Sequence, residues 1–318
     1  MDVVSDAIAA VRVGQPSSQR VRVRGSWCTR FAPYEGAGFH VVLEGSCWML
    51  PEGGAPVSLG AGDAVLLPHG TGHVMADSPA DAAAVARAVP FEAQAIGGPA
   101  AEGAPDGPCG AEPGGAAPGS SVELLCGKYR LDRSRAHPLM RELPPVVHLP
   151  HRVGRHPELR AAIDLLGGEL GAARPGSAMA VPSLLDLLLV YMVRSWMAED
   201  AAGAWSAALG DPVAAAALRV LHADPAAPWT NARLAAEAGV SRATLARRFG
   251  ALVGRPPMAY LAWWRLTYAA TLLRDTADPL AAIARRVGYG TPYAFSHAFN
   301  REFGTTPGRY RARVARLA

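Results

Sequence analysis

Two nonapeptides fifty residues apart carry side chains suited to chemistry with a polyanion. Ser241-Arg-Ala-Thr-Leu-Ala-Arg-Arg-Phe249 holds three guanidinium groups. Thr291-Pro-Tyr-Ala-Phe-Ser-His-Ala-Phe299 answers with phenol, hydroxyl and imidazole. Guanidinium is planar and permanently charged, so it grips phosphate oxygens and, in a major groove, O6 and N7 of guanine. A second set lies nearer the N-terminus: His40, Glu44, His73 and Cys126. Imidazole, carboxylate and thiolate are donors that hold Zn²⁺ or a similar divalent ion. Cys47 and Cys126 are also candidates for oxidation.

The elements that present the arginines can be read from caps and turns. Asp211 caps a helix over Val213–His222. Thr230 caps a helix running through Leu234 to Ala238, Gly239-Val240 makes a tight turn, and Ser241 caps Arg242–Phe249. Helix, glycine turn and capped helix form the helix-turn-helix pattern. Gly254-Arg-Pro-Pro257 stops it, and a long helix follows over Met258–Arg274. Asp278-Pro279 opens a second copy: Leu280–Val287, the turn Gly288-Tyr-Gly290, and a helix over Pro292–Phe299 capped by Thr291. A basic tail, Arg309–Arg316, ends the chain. Phe249/Phe299, Gly254/Gly304, Pro257/Pro307 and Tyr260/Tyr310 are each fifty positions apart, the mark of a unit used twice. Leu245, Phe249, Phe295, Phe299 and Tyr310 fall on the apolar side and are core.

Charge agrees. The chain has 318 residues and a net charge of +4. Residues 211–318 hold fifteen Arg against six acidic residues, net +9, leaving net −5 on residues 1–210. A basic third on an acidic body points to a polyanion partner for that third alone. The N-terminus lacks a basic region followed by a long apolar run, so no secretory signal is read there. The most apolar stretch, Leu184–Val193, falls short of the ~20 residues that span a bilayer. A cytoplasmic protein without a membrane partner is expected. The four cysteines (Cys28, Cys47, Cys109, Cys126) show no CxxC spacing and read as reduced thiols.

Residues 1–15 read as a short amphipathic helix. From Arg20 the period changes to two, with glycine-punctuated runs at Val21–Arg24, Phe39–Leu43, Cys47–Leu50 and Ala64–Leu67 that suggest a small antiparallel barrel or sandwich. Within it, Gly62-Asp-Ala-Val-Leu-Leu-Pro68-His-Gly70-Thr-Gly-His73 resembles the second cupin motif. His40 and Glu44 stand at the spacing of the first motif, but Gly38 occupies the position of its first His. The resemblance implies a barrel with an interior pocket. His40, His73 and Cys126 are the favoured ion ligands there, with Glu44 as a further candidate; a vacant or ligand-filled pocket and a thiol sensor are the alternatives. His69, beside a Pro-Gly turn, reads as loop surface. Residues 97–120, rich in Gly, Pro and Ala, read as a flexible insert. Ser121–Leu131 resumes strand-like alternation. Helices are expected over Pro157–Leu170 and Pro182–Glu199, the latter with Pro182 near its start, and their apolar stripes offer a homodimer interface or simple core.

Trp229–Arg311 closely resembles the DNA-binding domain of the AraC/XylS transcription regulators. The residues that carry the resemblance are Leu234-Ala-x-x-Ala-Gly-x-Ser241-x-x-x-Leu245-x-Arg247-x-Phe249, Ile283-Ala-x-x-Val-Gly-Tyr-x-Thr291-x-x-x-Phe295-x-x-x-Phe299 and Phe303-Gly-x-x-Pro307-x-x-Tyr310-Arg311. It implies two recognition helices on one face of a duplex, about one turn or ~34 Å apart. By that pattern Ala243, Ala246 and Arg247 face bases, Arg247 as the direct reader, while Arg242 and Arg248 contact phosphate. Thr244 shares the helix. In the second helix the corresponding residues are Thr291, Pro292, Tyr293, Ser296, His297 and Arg301. His297 departs from the Arg frequent in the family, so the second unit is expected to read less by direct hydrogen bonds. The family leans to activation, which would make RNA polymerase a partner beside double-stranded DNA.

The expected fold is α+β and multidomain. A cupin-like antiparallel β-barrel takes residues 1–150, a helical linker 151–205, and an all-α domain with two helix-turn-helix units 211–318. The expected function is a sequence-specific transcription regulator, not an enzyme, that requires no cofactor and is controlled by a small molecule, a metal or a redox signal. A cupin metalloenzyme with a DNA-binding appendage, or a nucleoid-binding structural protein, are the competing classes.

Overall fold

A computed structural model describes residues 2–79, 82–91, 121–131, 137–172, 174–200 and 203–315. The insert expected over 97–120, with Cys109, lies outside the described residues. The chain forms two compact units. One comprises Gln15–Arg133 and Leu143–Trp196; the other comprises Met1–Gly14, Ser134–Glu142 and Met197–Ala318.

The elements begin with α1 (Val3–Val11), then β1 (Ser17–Arg24), β2 (Cys28–Phe31), β3 (Gly36–Glu44), β4 (Ser46–Pro51), β5 (Val57–Gly60), β6 (Ala64–Leu67) and β7 (His73–Ala76). A short α2 (Ala82–Ala86), β8 (Val89–Pro90), β9 (Ser121–Arg130), α3 (Pro138–Glu142) and β10 (Val147–Leu149) follow. Then come α4 (Pro157–Ala172), α5 (Ser177–Glu199), α6 (Ala204–Gly210), α7 (Pro212–Ala223), α8 (Asn231–Glu237) and α9 (Arg242–Val253). The last are α10 (Pro257–Asp275), α11 (Leu280–Arg286), α12 (Pro292–Phe303) and α13 (Pro307–Val314).

The strands make two five-stranded sheets, ordered β1-β9-β3-β6-β10 and β5-β4-β7-β2-β8. Their pairings are antiparallel except β2 with β8. Val42, Val65, Leu67, Leu124 and Cys126 from the first sheet pack in one apolar cluster with Cys47, Met49, Leu59 and Met75 from the second. Among the described residues no closed barrel forms, which corrects the barrel expectation; the two packed sheets fit its sandwich alternative. Alternation of apolar and polar residues marks one buried face per strand, and a rolled sheet and two stacked sheets satisfy it equally. On this unit, the Tyr129 hydroxyl donates to the Leu185 carbonyl of α5 at 2.6 Å, and Arg20 of β1 donates to the Gly167 carbonyl of α4 at 3.2 Å.

The helix α5 begins five residues before the expected start, so Pro182 lies inside it. At 23 residues it is long and apolar enough to cross a membrane by length and composition, unlike the ten-residue stretch read from the sequence. Leu185, Leu188, Leu189, Met192 and Val193 are buried within the chain.

The helical unit draws in chain from beyond residues 211–318. Val3, Ala7, Ile8 and Val11 of α1 are buried, and α1 packs on α3, α7 and α10. Burial of Val3, Ile8 and Val11 contributes roughly 1.5–3 kcal/mol each, and the single methyl of Ala7 less. The fifty-residue register is visible in three dimensions. The helices α9 and α12 are twelve residues each, capped by Ser241 and Thr291 and ended by left-handed Gly254 and Gly304. The nineteen-residue α10 between them, ~28 Å long at 1.5 Å per residue, is buried on most sides. One core surrounds its C-terminal half, with Leu266, Leu273, Ile283, Phe295, Phe299 and Tyr310.

Candidate nucleic-acid interface and inter-sheet histidine pair

On α9 the apolar positions recur at steps of four: Leu245, Phe249 and Val253 are buried. That fixes the opposite face toward solvent, and Arg242, Ala243, Ala246 and Arg247 are exposed on it. The Ser241 hydroxyl accepts from the Thr244 N–H at 3.1 Å and lies 3.0 Å from the Thr244 hydroxyl, which ties Thr244 to the cap. Arg248 is half-buried and paired with Asp211. Asp211 also caps α7, accepting from Val213 N–H at 3.0 Å and Ala214 N–H at 2.9 Å. Desolvation pushes the Asp211 carboxyl up, but the Ala214 N–H, Arg248 and the Val213 N–H outweigh it and hold it below the usual range. Arg248 therefore braces the first unit.

On α12 the same logic holds. Phe295 and Phe299 are buried, while Thr291, Pro292, Tyr293, His297 and Arg301 are exposed and Ser296 is half-buried. The Thr291 hydroxyl accepts from the Ala294 N–H at 3.1 Å. Tyr293 is 82% exposed, an unusual state for a large aromatic ring and one that suits stacking or groove contact. Asn300, which the sequence pattern did not assign as a reader, is exposed three residues beyond His297 on the same face. Its helical spacing from Tyr293, Ser296 and His297 was the available signal.

The second constellation sits between the sheets. His40 of β3 faces Cys126 of β9 in direct register, and His73 comes from β7 of the other sheet. All three are 3–4% exposed. His40 Nδ1 lies 3.1 Å from Cys126 Sγ, and His40 Nε2 lies 2.7 Å from His73 Nε2. His73 Nδ1 lies 3.0 Å from the Thr71 carbonyl, which can only accept. Burial, reinforced by His73, holds His40 well below the usual histidine range, and burial lowers His73 to about 4. Both rings are thus neutral, which orders the protons. His73 Nδ1–H donates to Thr71, His40 Nε2–H donates to His73, and the Cys126 thiol donates to His40. Phe31 stacks on His73 with centroids 4.8 Å apart. Burial pushes the Cys126 thiol up, and burial with Asp63 pushes the Cys47 thiol to about 12. Cys28, Cys47 and Cys126 are buried.

Because His40 offers a different nitrogen to each partner, the three donors do not surround one point as placed. Among the described residues no group of three His, Cys, Asp or Glu side chains is placed to hold an ion. Glu44 is not part of the cluster. A bulge between Val42 and Glu44 breaks the alternation that would put it on the face of His40. Its exposed carboxylate instead lies 3.4 Å from Arg22. At Gly38 an added Cβ would lie 2.8 Å from the Tyr34 hydroxyl, so tyrosine fills the space that the first cupin His would use. His69 is half-buried rather than loop surface, and its Nε2 donates to the Leu143 carbonyl at 2.7 Å.

Residues 2–198 match the Cupin family and residues 234–313 the Helix-turn-helix domain family. The chain is 33% identical over 314 residues to an AraC-like transcription regulator of Streptomyces antibioticus, covering 98% of each chain. It is 27% identical over 314 residues to the HTH-type transcriptional regulator AlkR of Acinetobacter baylyi, covering 98% of this chain and 99% of that one. It is 34% identical over 202 residues to the RCS-specific HTH-type transcriptional activator RclR of Escherichia coli, 62% of this chain and 70% of that one. Among solved structures, the DNA-binding domain of AdpA in complex with a target DNA matches at 34% identity and a TM-score of 0.32, over 33% of this chain and 96% of that one. With a cupin N-terminal domain, a helix-turn-helix C-terminal domain and relatives over its full length, the chain belongs to the AraC-like transcription regulators, DNA-binding proteins rather than enzymes.

Proposed function

We propose that the chain is a cytoplasmic transcription activator that reads two adjacent major-groove segments of duplex DNA, α9 entering one and α12 the next. The observation that carries this reading is the pair of equivalent outward faces fifty residues apart. Arg242, Ala243, Ala246 and Arg247 stand on one, and Tyr293, His297 and Arg301 on the other, each backed by buried Leu or Phe. Arg247 is the direct base reader and Arg242 a phosphate contact. The name of the relative RclR, an activator, supports activation, with RNA polymerase as partner. Selection of binding sites from random duplex DNA by the full chain tests the reading. A two-part motif about one helical turn in period is expected, and binding without a preferred sequence would contradict it.

Homodimerisation through α4 and α5 is part of the proposal. Leu165, Met179 and Leu187 are 60%, 81% and 44% exposed, which leaves apolar surface on both helices. The signal is sensed at the Cys126–His40–His73 chain, where the high thiol pKa disfavours oxidation of Cys126 or Cys47 at rest. A small polar ligand can compete for its hydrogen bonds. A divalent ion such as Zn²⁺ requires loss of the Cys126 proton and rotation of His40. Metal analysis and native mass of the purified chain separate these two ligands.

A further inference from the structure

The two helix-turn-helix pairs touch at a point other than their shared helix. Arg265 lies at the middle of α10 and is half-buried. Its Nε donates to the Pro225 carbonyl at 2.7 Å, and its Nη2 donates to the Ala227 carbonyl at 2.9 Å. Those carbonyls belong to the loop that leads into α8, the first helix of the first pair. The loop is itself fixed. Asp224 accepts from Ala226 and Ala227 N–H, both at 3.1 Å, and the Trp229 indole donates to the Asp224 carbonyl at 2.8 Å.

The other side of the guanidinium meets the second pair. Gly288 opens the turn between α11 and α12 with φ +82°. A Cβ at Gly288 would lie 2.9 Å from Arg265 Cζ and Nη2, and 3.0 Å from Ala226 Cα. The turn of the second pair therefore sits directly on the entry loop of the first, with the Arg265 fork wedged into the joint. Only glycine admits both this approach and this backbone conformation. Only arginine offers two donors in a rigid plane to two carbonyls; a lysine ammonium would hold one and swing.

We propose that Arg265 is a positioning residue for DNA recognition, fixing the separation and rotational phase of α9 and α12 and so the spacing of the two DNA segments the protein accepts. This inference rests on the two-segment reading above. A single helix α10 can bend and twist, and a phase error of one base pair rotates one segment by roughly 34° about the duplex axis. A second contact off that axis is what a hinge lacks and a rigid joint needs. Among the described residues, the hydrogen bonds of Arg265 run to Pro225 and Ala227 and not to the outward reading faces, so its effect on DNA acts through geometry.

The test uses the full chain and the site obtained by selection, with the spacer between segments lengthened or shortened by one base pair, and a further duplex with the second segment scrambled. The wild type should lose about tenfold in affinity on a shifted spacer. Arg265→Ala, Arg265→Lys and Gly288→Ala should each lose affinity on the selected spacer while binding the scrambled duplex as the wild type does. Their discrimination between spacers should fall below about threefold. Gly288→Ala disturbs the joint from the opposite side, by crowding the guanidinium while keeping the arginine itself, and thermal melts confirm that each variant is folded. Retention of wild-type spacer discrimination by folded variants would overturn the proposal. So would an equal loss on all duplexes, the scrambled one included. A wild type indifferent to the spacer would instead refute the two-segment reading itself, and the inference with it.

Discussion

Nε2 of His222 lies 2.7 Å from the hydroxyl of Tyr260, and both residues are fully buried. The bond belongs to a chain whose proton order follows from its ends. The Leu139 N–H donates to His137 Nδ1 at 3.1 Å, so His137 donates from Nε2 to the Tyr260 oxygen at 3.0 Å. The Tyr260 hydroxyl then donates to His222 Nε2, and His222 Nδ1–H donates to the Asp6 carboxylate at 2.7 Å. Asp6 and His222 are 216 residues apart in sequence. The chain joins α1, the start of α3, α7 and α10 inside the helical unit.

Asp6→Ala should destabilise that unit, because His222 Nδ1–H would be left buried without an acceptor. The expected loss is about 1–3 kcal/mol, read as a lowered melting temperature of the full chain. Asp6→Asn, which keeps an acceptor oxygen, should lose less. Equal melting of Asp6→Ala and wild type would contradict the network.

His137 predicts a dependence on pH. Burial, then the neighbouring His222, holds its folded pKa well below 6.5. The neutral ring faces Tyr260, the Leu139 N–H and Trp205, with His222 and Asp6 beyond. A histidine depressed on folding contributes stability that is fully present above its unfolded pKa of about 6.5 and is lost as pH falls from there toward the folded value. Urea midpoints measured between pH 7.5 and 5 should therefore fall with pH. They should fall less steeply for His137→Gln, which retains an acceptor and a donor.

Cys126→Ser and Cys126→Ala test the proton order between the sheets. Serine still donates to His40 Nδ1 and should stay close to wild type in stability. Alanine leaves that nitrogen buried and unpaired, at a cost of about 1–3 kcal/mol. If the two variants melt together, the thiol is not the donor.

Arg242 and Arg248 should separate in salt dependence although both are arginines of α9. Arg242 is exposed, so Arg242→Ala should lower affinity on all sequences and reduce the salt slope by about 1. Arg248 is already neutralised by Asp211, so Arg248→Ala should leave the slope near wild type and lower the melting temperature instead.

Much of this was legible in the sequence where local chemistry decides. Ser241, Thr230, Asp211 and Thr291 are each caps because a short side-chain oxygen satisfies the N–H groups of a first turn. The fifty-residue register of Phe249 and Phe299 gave the two outward faces at once. What was not legible depends on distant contacts or on a single local irregularity. Nothing near Asp6 signals that α1 packs with α7 and α10 rather than with the strands that follow it. The bulge at Val42 and Glu44 removes Glu44 from the inter-sheet cluster, and the adjacent Gly45 reads from the sequence only as the turn into β4. Pro182 is usual at a helix start, yet here the preceding five residues are helical too. Strand periodicity showed the buried face of β4, but β3 and β6 are buried on both faces and carry no such alternation, so the number of layers was not legible.

Base-resolved footprints of the full chain on its selected site, for the wild type, Arg247→Ala and His297→Ala, test the central claim most directly. The account predicts two protected patches on one face of the duplex, about one turn apart. Arg247→Ala should relax preference at one base pair in the first patch, by about 1–3 kcal/mol of discrimination. His297→Ala should weaken only the second. A single patch, or two substitutions that disturb the same base pairs, would contradict it.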